Sequence, residues 1–179
     1  MVSADVFSLS ENATSVPAAN VLTVYLTGAS HSGWREGFIE RASEHGLSAT
    51  WLHPQLDHDR SDRVGAQIMG GESDIHHFDR KSALLNVFRN RRLIRRSDVI
   101  VAKLDKEIRG WNVAMELGWA AANGIPYITM YSDLVSHMAK ELDAQAMAVC
   151  ENMNQNKRDP MQQAIECLAY MSEGVAGGL

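Results

Sequence analysis

One acid stands apart from its surroundings. In the run NVAMELGW, Glu116 is flanked by Val113, Ala114, Met115, Leu117, Gly118 and Trp119, all apolar or small. With Asn112 read as a helix N-cap, Glu116 falls one place beyond a capping-box glutamate, where the positive end of the helix dipole favours the ionised form. A poorly solvated carboxylate aimed into a crevice is suited to nucleophilic attack on a sugar carbon, or to stabilising an oxocarbenium-like transition state there. The competing reading is a surface glutamate that gains only dipole stabilisation.

Two further clusters carry chemistry. DHDRSD supplies Asp57, His58, Asp59, Arg60 and Asp62, with His53 just before it. Carboxylates accept hydrogen bonds from hydroxyls, and Arg60 can fork onto a phosphate or carboxylate. These side chains also suit a divalent metal, but their spacing matches no closed structural zinc site, so neither metal nor cofactor is expected. A turn-rich loop tied by its own aspartates is the bland alternative. Ser30, His31 and Ser32 precede the first helix, whose N–H groups form an anion site with Arg35 nearby; N-capping by Ser30 or Ser32 explains them equally well. Trp34 is expected to pack in the core. Trp111, at the entry to the Glu116 segment, is expected to touch ligand, and Asp105, Arg89 and Asn90 join the candidates, with Asp79, Lys81 and Asn86 as weaker ones.

The elements that must position these groups follow from the pattern. VLTVYL (Val21 to Leu26), Ser48 to Leu52, Asp98 to Leu104, PYITMY and Ala146 to Val149 read as strands. Helices are expected through Trp34, Phe38 and Ala42 up to Gly46, then over Asp79 to Arg96, Val113 to Asn123, Leu134 to Leu142 and Pro160 to Met171. A short helix over Arg63 to Met69 would interrupt the long polar connection after the second strand. Strand–helix alternation at this spacing predicts an α/β fold: a doubly wound, Rossmann-like or flavodoxin-like five-stranded parallel sheet, order 2-1-3-4-5, with helices on both faces. Ligand would then bind beyond the carboxyl ends of the strands, where the first and third diverge. A flexible extension is expected over 1–19, one domain over 20–173 and a frayed tail over 174–179.

Composition limits the function classes. The 179 residues hold 45% hydrophobic and 22% charged side chains, with a net charge of −5, values of a protein with a real core. An acidic balance argues against nucleic acid held by bulk charge. The basic run RNRRLIRRSD is placed at the end of a helix, where arginines complement the dipole. No apolar run approaches a membrane span, no secretory leader is read at the start, and Cys150 and Cys167 make no disulfide framework. A reduced cytoplasmic protein is expected. The helix Val113 to Asn123 is apolar on more than one face, which predicts a homo-oligomer.

The motifs also carry a family likeness. YLTG, SDVIVAKL and above all NVAMELGWAAANGIPYI resemble the nucleoside 2-deoxyribosyltransferases and related nucleotide N-glycosidases. The succession of WRE, DHDRSD, a His-Asp-Lys segment, NVFR and WNVAM is similar to the YtoQ branch of that superfamily, over about Leu22 to Met171. The resemblance implies that Glu116 is the nucleophile that takes the sugar C1′, that Tyr25 orients its carboxylate, and that Gly28 lies in the close turn beneath the ligand. It departs from the transferases at Gly110, where they have an acid that binds the sugar hydroxyls. It departs again at Asn90, where they have an acid used at the base. The expected activity is cleavage or transfer of an N-glycosidic bond in a nucleoside, nucleotide or related compound. The alternative is a nucleotide-binding module of the same fold without turnover.

Overall fold

Runs of β-branched and aromatic residues, uninterrupted by polar alternation, can be buried on both faces, and here they make the strands. The structure, a computed structural model, describes residues 21–29, 32–105, 110–131, 139–152 and 158–173; the expected extension and tail lie outside them. Five parallel strands form one sheet: β1 (Leu22–Gly28), β2 (Ala49–Leu52), β3 (Val99–Leu104), β4 (Tyr127–Tyr131) and β5 (Ala148–Cys150). Their order is β2-β1-β3-β4-β5, as the strand–helix alternation predicts.

Two cores flank the sheet. On one face, α1 (Trp34–Glu44) and α6 (Pro160–Glu173) cover Val24, Leu26, Val101 and Ile128. On the other, α3 (Ile75–Ile94) and α4 (Trp111–Ala122) cover Tyr25, Ile100, Ala102 and Tyr127. Phe38, Ile100, Leu117 and Ile128 are fully buried; each such side chain contributes roughly 1.5–3 kcal/mol by leaving water. Two further helices are α2 (His58–Met69) and the single-turn α5 (Lys140–Asp143). Alternate residues of β4 fasten α5. Tyr127 Oη donates to the Leu142 carbonyl at 2.5 Å, while Thr129 Oγ1 and Tyr131 Oη donate to Asp143 Oδ1 at 2.8 and 2.7 Å. Among the described residues no helix is long and apolar enough to cross a membrane.

Local chemistry moves several boundaries from their expected places. DHDRSD is not a loop: Asp57 caps α2 by accepting from the Arg60 N–H, so the helix starts at His58 instead of Arg63. Asp74 caps α3 in the same way, accepting from the N–H groups of His76 and His77. The N-cap of α1 is Gly33 and not Ser32, and Gly33, at φ 59, turns the chain into the helix, where Trp34 and Arg35 are buried. Asn112 is not the cap of α4. The Ala114 N–H bonds the Gly110 carbonyl at 2.8 Å, so Gly110 is the N-cap and Glu116 sits in the second turn. The strand expected at Ala146 to Val149 is Ala148–Cys150, because Ala146 N is still bonded to Asp143 O in the turn that ends α5, and the ladder with β4 starts at Ala148. The expected helix from Leu134 lies partly in 132–138, outside the described residues.

The α2–α3 hairpin stands over the carboxyl end of β1 and is locked by small groups. Gly65 N donates to Ser82 Oγ at 3.0 Å, Ser82 Oγ donates to the Asp62 carbonyl at 2.5 Å, and Asn86 Nδ2 donates to the Ser61 carbonyl at 3.0 Å. A Cβ at Gly65 would lie 2.3 Å from the backbone nitrogen of Ser82, so only glycine permits this approach. Gly65→Ala is therefore expected to cost about 1–3 kcal/mol through overpacking, read from urea unfolding; an unchanged midpoint would show that the two helices do not need this contact.

Candidate active site

The site begins with the two-residue period of a strand. Side chains two apart on β1 share a face, so Tyr25 and Thr27 both point to the side covered by α4. Glu116, on the buried side of that helix, meets them. Tyr25 Oη donates to Glu116 Oε1 at 3.2 Å, and Thr27 Oγ1 donates to Oε2 at 2.5 Å. From α3, Asn90 Nδ2 adds a third bond to Oε1 at 2.9 Å. Glu116 is only 3% exposed as a residue, yet it lines a cavity of about 500 Å³ that opens between β1, α2, α3 and α4.

Burial governs the electrostatics. Loss of hydration raises the Glu116 pKa above its ordinary value, while the bonds from Thr27, Tyr25 and Asn90, with the charge of Arg35, pull it back only in part. The Tyr25 phenol is pushed far up by burial first and by the Glu116 charge second, so it stays protonated and acts as a donor. The helix dipole is not what supports the charge, because its influence falls off within the first turn and Glu116 stands beyond that turn. Side-chain donors supply the stabilisation instead.

Arg35 and Gly28 build the floor. Arg35 is buried and lines the cavity. Its Nε donates to Leu26 O at 3.2 Å, Nη1 to Ala29 O at 2.6 Å and Nη2 to Gly28 O at 3.1 Å. The guanidinium, which also lies 4.9 Å from the Trp34 ring centre, thus ties down the carbonyls at the end of β1. Gly28 has φ +136, and a Cβ there would lie 2.5 Å from Lys103 O, so the chain can pass this close to β3 only as glycine.

Of the remaining candidates, His58, Asp62, Asn90 and Asn112 lie on the cavity wall. Asp57 serves as the α2 cap, and Asp59 and Arg60 are exposed and off the wall. Arg89 braces the back of Asn90, donating to His53 O at 3.0 Å and Asn90 Oδ1 at 3.4 Å. Asp105 stands off the wall, 3.4 Å from Lys103 Nζ. Trp34 packs in the core, as expected. Trp111, expected against ligand, is 77% exposed and outside the wall, because the helix starts at this residue and turns it to solvent. Ser30 and His31 lie outside the described residues.

Thr27 escaped sequence reasoning, although its place two residues after Tyr25 on a strand was a usable signal. The spacing of Asp79, Ser82, Ala83, Asn86, Val87 and Asn90 marks one face of α3, and the whole of it lines the cavity. Among the described residues no group of three or more His, Cys, Asp or Glu is placed to hold a metal ion.

Comparison with known proteins follows this geometry. The family described as nucleoside 2-deoxyribosyltransferase YtoQ matches residues 25–172. The protein YtoQ of Bacillus subtilis (strain 168) is 35% identical over 150 residues, which span 84% of this chain and 96% of the Bacillus protein. Among solved structures, a conserved protein from Enterococcus faecalis V583 shares the fold with a TM-score of 0.52 at 19% identity, over 84% of this chain and 99% of that one. A 2-deoxyribosyltransferase from Bacillus psychrosaccharolyticus has a TM-score of 0.45 at 15% identity, over 76% of this chain and 90% of its own.

A raised pKa has a thermodynamic consequence of definite sign. The folded protein keeps the Glu116 proton to higher pH than the unfolded chain does. Stability from this group is fully present below the unfolded value, about 4.3, and is lost as the pH rises through the raised folded value. Glu116→Gln keeps the shape and does not titrate, so its Tm is expected to gain on the wild type as the pH goes from about 4 to 8. A Tm difference that stays flat across that range would show that the carboxyl is not held in this desolvated state.

Proposed function

The chain belongs to the nucleoside 2-deoxyribosyltransferase YtoQ family, and from that premise we propose that it breaks or exchanges the N-glycosidic bond of a nucleoside, nucleotide or related nucleobase–sugar compound. The observation that carries the reading is the Glu116 carboxylate itself: buried, open to a cavity and held by three donors. Such a group is desolvated, which sharpens it as a nucleophile, and it is fixed in direction. Oε1 accepts two hydrogen bonds and Oε2 one, so Oε2 retains a lone pair for attack. In the reaction Oε2 bonds to C1′, the base leaves with the electrons of the C1′–N bond, and water or a second base releases the sugar from Glu116. The cavity, about 500 Å³, is of the size that takes a small-molecule ligand.

A second reading rests on Asn90. Its amide, in the position where the resemblance places an acid used at the base, is bonded to Glu116 Oε1, which suits a site that binds a nucleotide without turning it over. Thermal stabilisation by nucleotides with no product on long incubation supports that reading in place of the first.

Incubation with ribo- and deoxyribonucleosides and their 5′-monophosphates, followed by chromatography of free base, tests the proposal. Glu116→Gln is expected to lower base release by more than about a thousandfold, as the loss of a nucleophile does; release that survives this change would remove the mechanism. Attack requires the ionised form, so kcat/KM is expected to rise with pH through the elevated Glu116 pKa. Thr27→Val takes away the hydrogen bond that most lowers that pKa, and Tyr25→Phe takes away the next. The ascending limb is expected to move to higher pH in both variants, further in Thr27→Val. Limbs that coincide with the wild type would mean that neither hydroxyl tunes the reacting group.

A further inference from the structure

A departing nucleobase needs a proton, and the groups around Glu116 cannot give one. Asn90 carries an amide, Thr27 donates a hydroxyl hydrogen bond, and the Tyr25 phenol is held protonated by burial. Among the described residues, the ionisable side chains on the cavity wall are Arg35, His58, Asp62, Asp79 and Glu116. An arginine does not deprotonate in proteins, and Arg35 is already engaged with three carbonyls. Of the others, an imidazole is the side chain that most often both gives and takes a proton in general acid–base catalysis.

His58 is placed by the same cap that shifted the start of α2. Because Asp57 ends the coil, His58 is the first residue of the helix and Asp62 lies one turn further on the same side. Asp62 Oδ2 is 3.5 Å from His58 Nδ1. A carboxylate against Nδ1 orients the ring and turns Nε2 toward proton exchange with a ligand. Both residues line the cavity that holds Glu116, and both are exposed, so the pair can regain a proton from solvent.

Resting on the N-glycosidic reading above, we propose that His58, oriented by Asp62, is the general acid that protonates the leaving nucleobase. As the C1′–N bond breaks, its electron pair goes to the base nitrogen, and that base takes the proton of His58 Nε2, leaving the imidazole neutral. Oε2 of Glu116 has meanwhile bonded to C1′. In the second step the neutral imidazole takes a proton from the attacking water, the C1′–Oε2 bond breaks, and both residues return to their starting states. His58 is a catalytic residue in this scheme and Asp62 a positioning residue.

The test compares guanosine with 7-methylguanosine, each also as its 2′-deoxy and 5′-monophosphate form. Methylation at N7 already places a positive charge on the base, so this base leaves without being protonated. His58→Gln is expected to lower kcat/KM for the guanine compounds about a hundredfold or more, in the range of a lost general acid. For the 7-methylated partners its loss is expected to be at least tenfold smaller, with Asp62→Asn following the same order more weakly. Equal losses on both members of a pair, with both still dependent on Glu116, would overturn the role of His58 and leave the nucleophile standing. Failure of the wild type to release base from any of these compounds and from the nucleosides and 5′-monophosphates of the other bases would overturn both. His58 and Asp62 are exposed, so their variants are expected to fold, and far-ultraviolet circular dichroism checks this.

Discussion

The desolvated carboxylate of Glu116 is the constraint to which the other parts of the site answer. A charge taken out of water costs several kcal/mol unless other groups replace its hydration, and here two hydroxyls and an amide do so. Hydrogen bonds to a charged group contribute roughly 1.5–3 kcal/mol each, which makes the burial tolerable without cancelling it. The residual penalty is visible as the raised pKa. A site of this kind is poised: the neutral form sits comfortably, and the ionised form is held in one direction with little solvent to blunt it.

The three donors come from two elements that the fold brings together. Tyr25 and Thr27 share one face of β1, and Asn90 reaches in from the end of α3 just before the chain enters β3. β1 and β3 are neighbours in the sheet, with β2 on the far side of β1. The chain diverges there, and the crevice beyond the strand ends is the natural place for a ligand in a doubly wound sheet. Arg35 closes that crevice from below by donating to the carbonyls of Leu26, Gly28 and Ala29 at the end of β1. A cation that looks in the sequence like an anion receptor is thus spent on the backbone.

Facing this rigid corner is the α2–α3 hairpin, a separate polar wall held by Gly65, Ser82 and Asn86. Sheet and α4 present the Glu116 carboxylate, while the hairpin presents imidazole, carboxylates and amides to the rest of the cavity. The two sides differ in physical character. One is dry and fixed by packing, and the other is open to solvent.

Much of this was legible in the residues. Uniformly apolar strand segments separated by amphipathic ones dictate a parallel sheet covered on both faces, because only that arrangement buries both sides of every strand. An acid alone among apolar neighbours identifies Glu116, since such a residue must find partners or lose its charge. Caps were harder. In the sequence Asp57 suits a loop and Asn112 a cap, because Asp and Asn fit turns and helix starts alike, and only the hydrogen bonds of the folded chain choose between them. Trp111 turns outward because, as the first residue of α4, it follows the helical phase that buries Val113, Leu117 and Ala120. Tertiary structure alone decided that Thr27 and Asn90, separated by more than sixty positions in the chain, converge on one carboxylate. Composition and periodicity report which face of an element is buried; they carry no information on which polar atoms will meet across the gap between elements, and that meeting sets the charge state of the group at the centre.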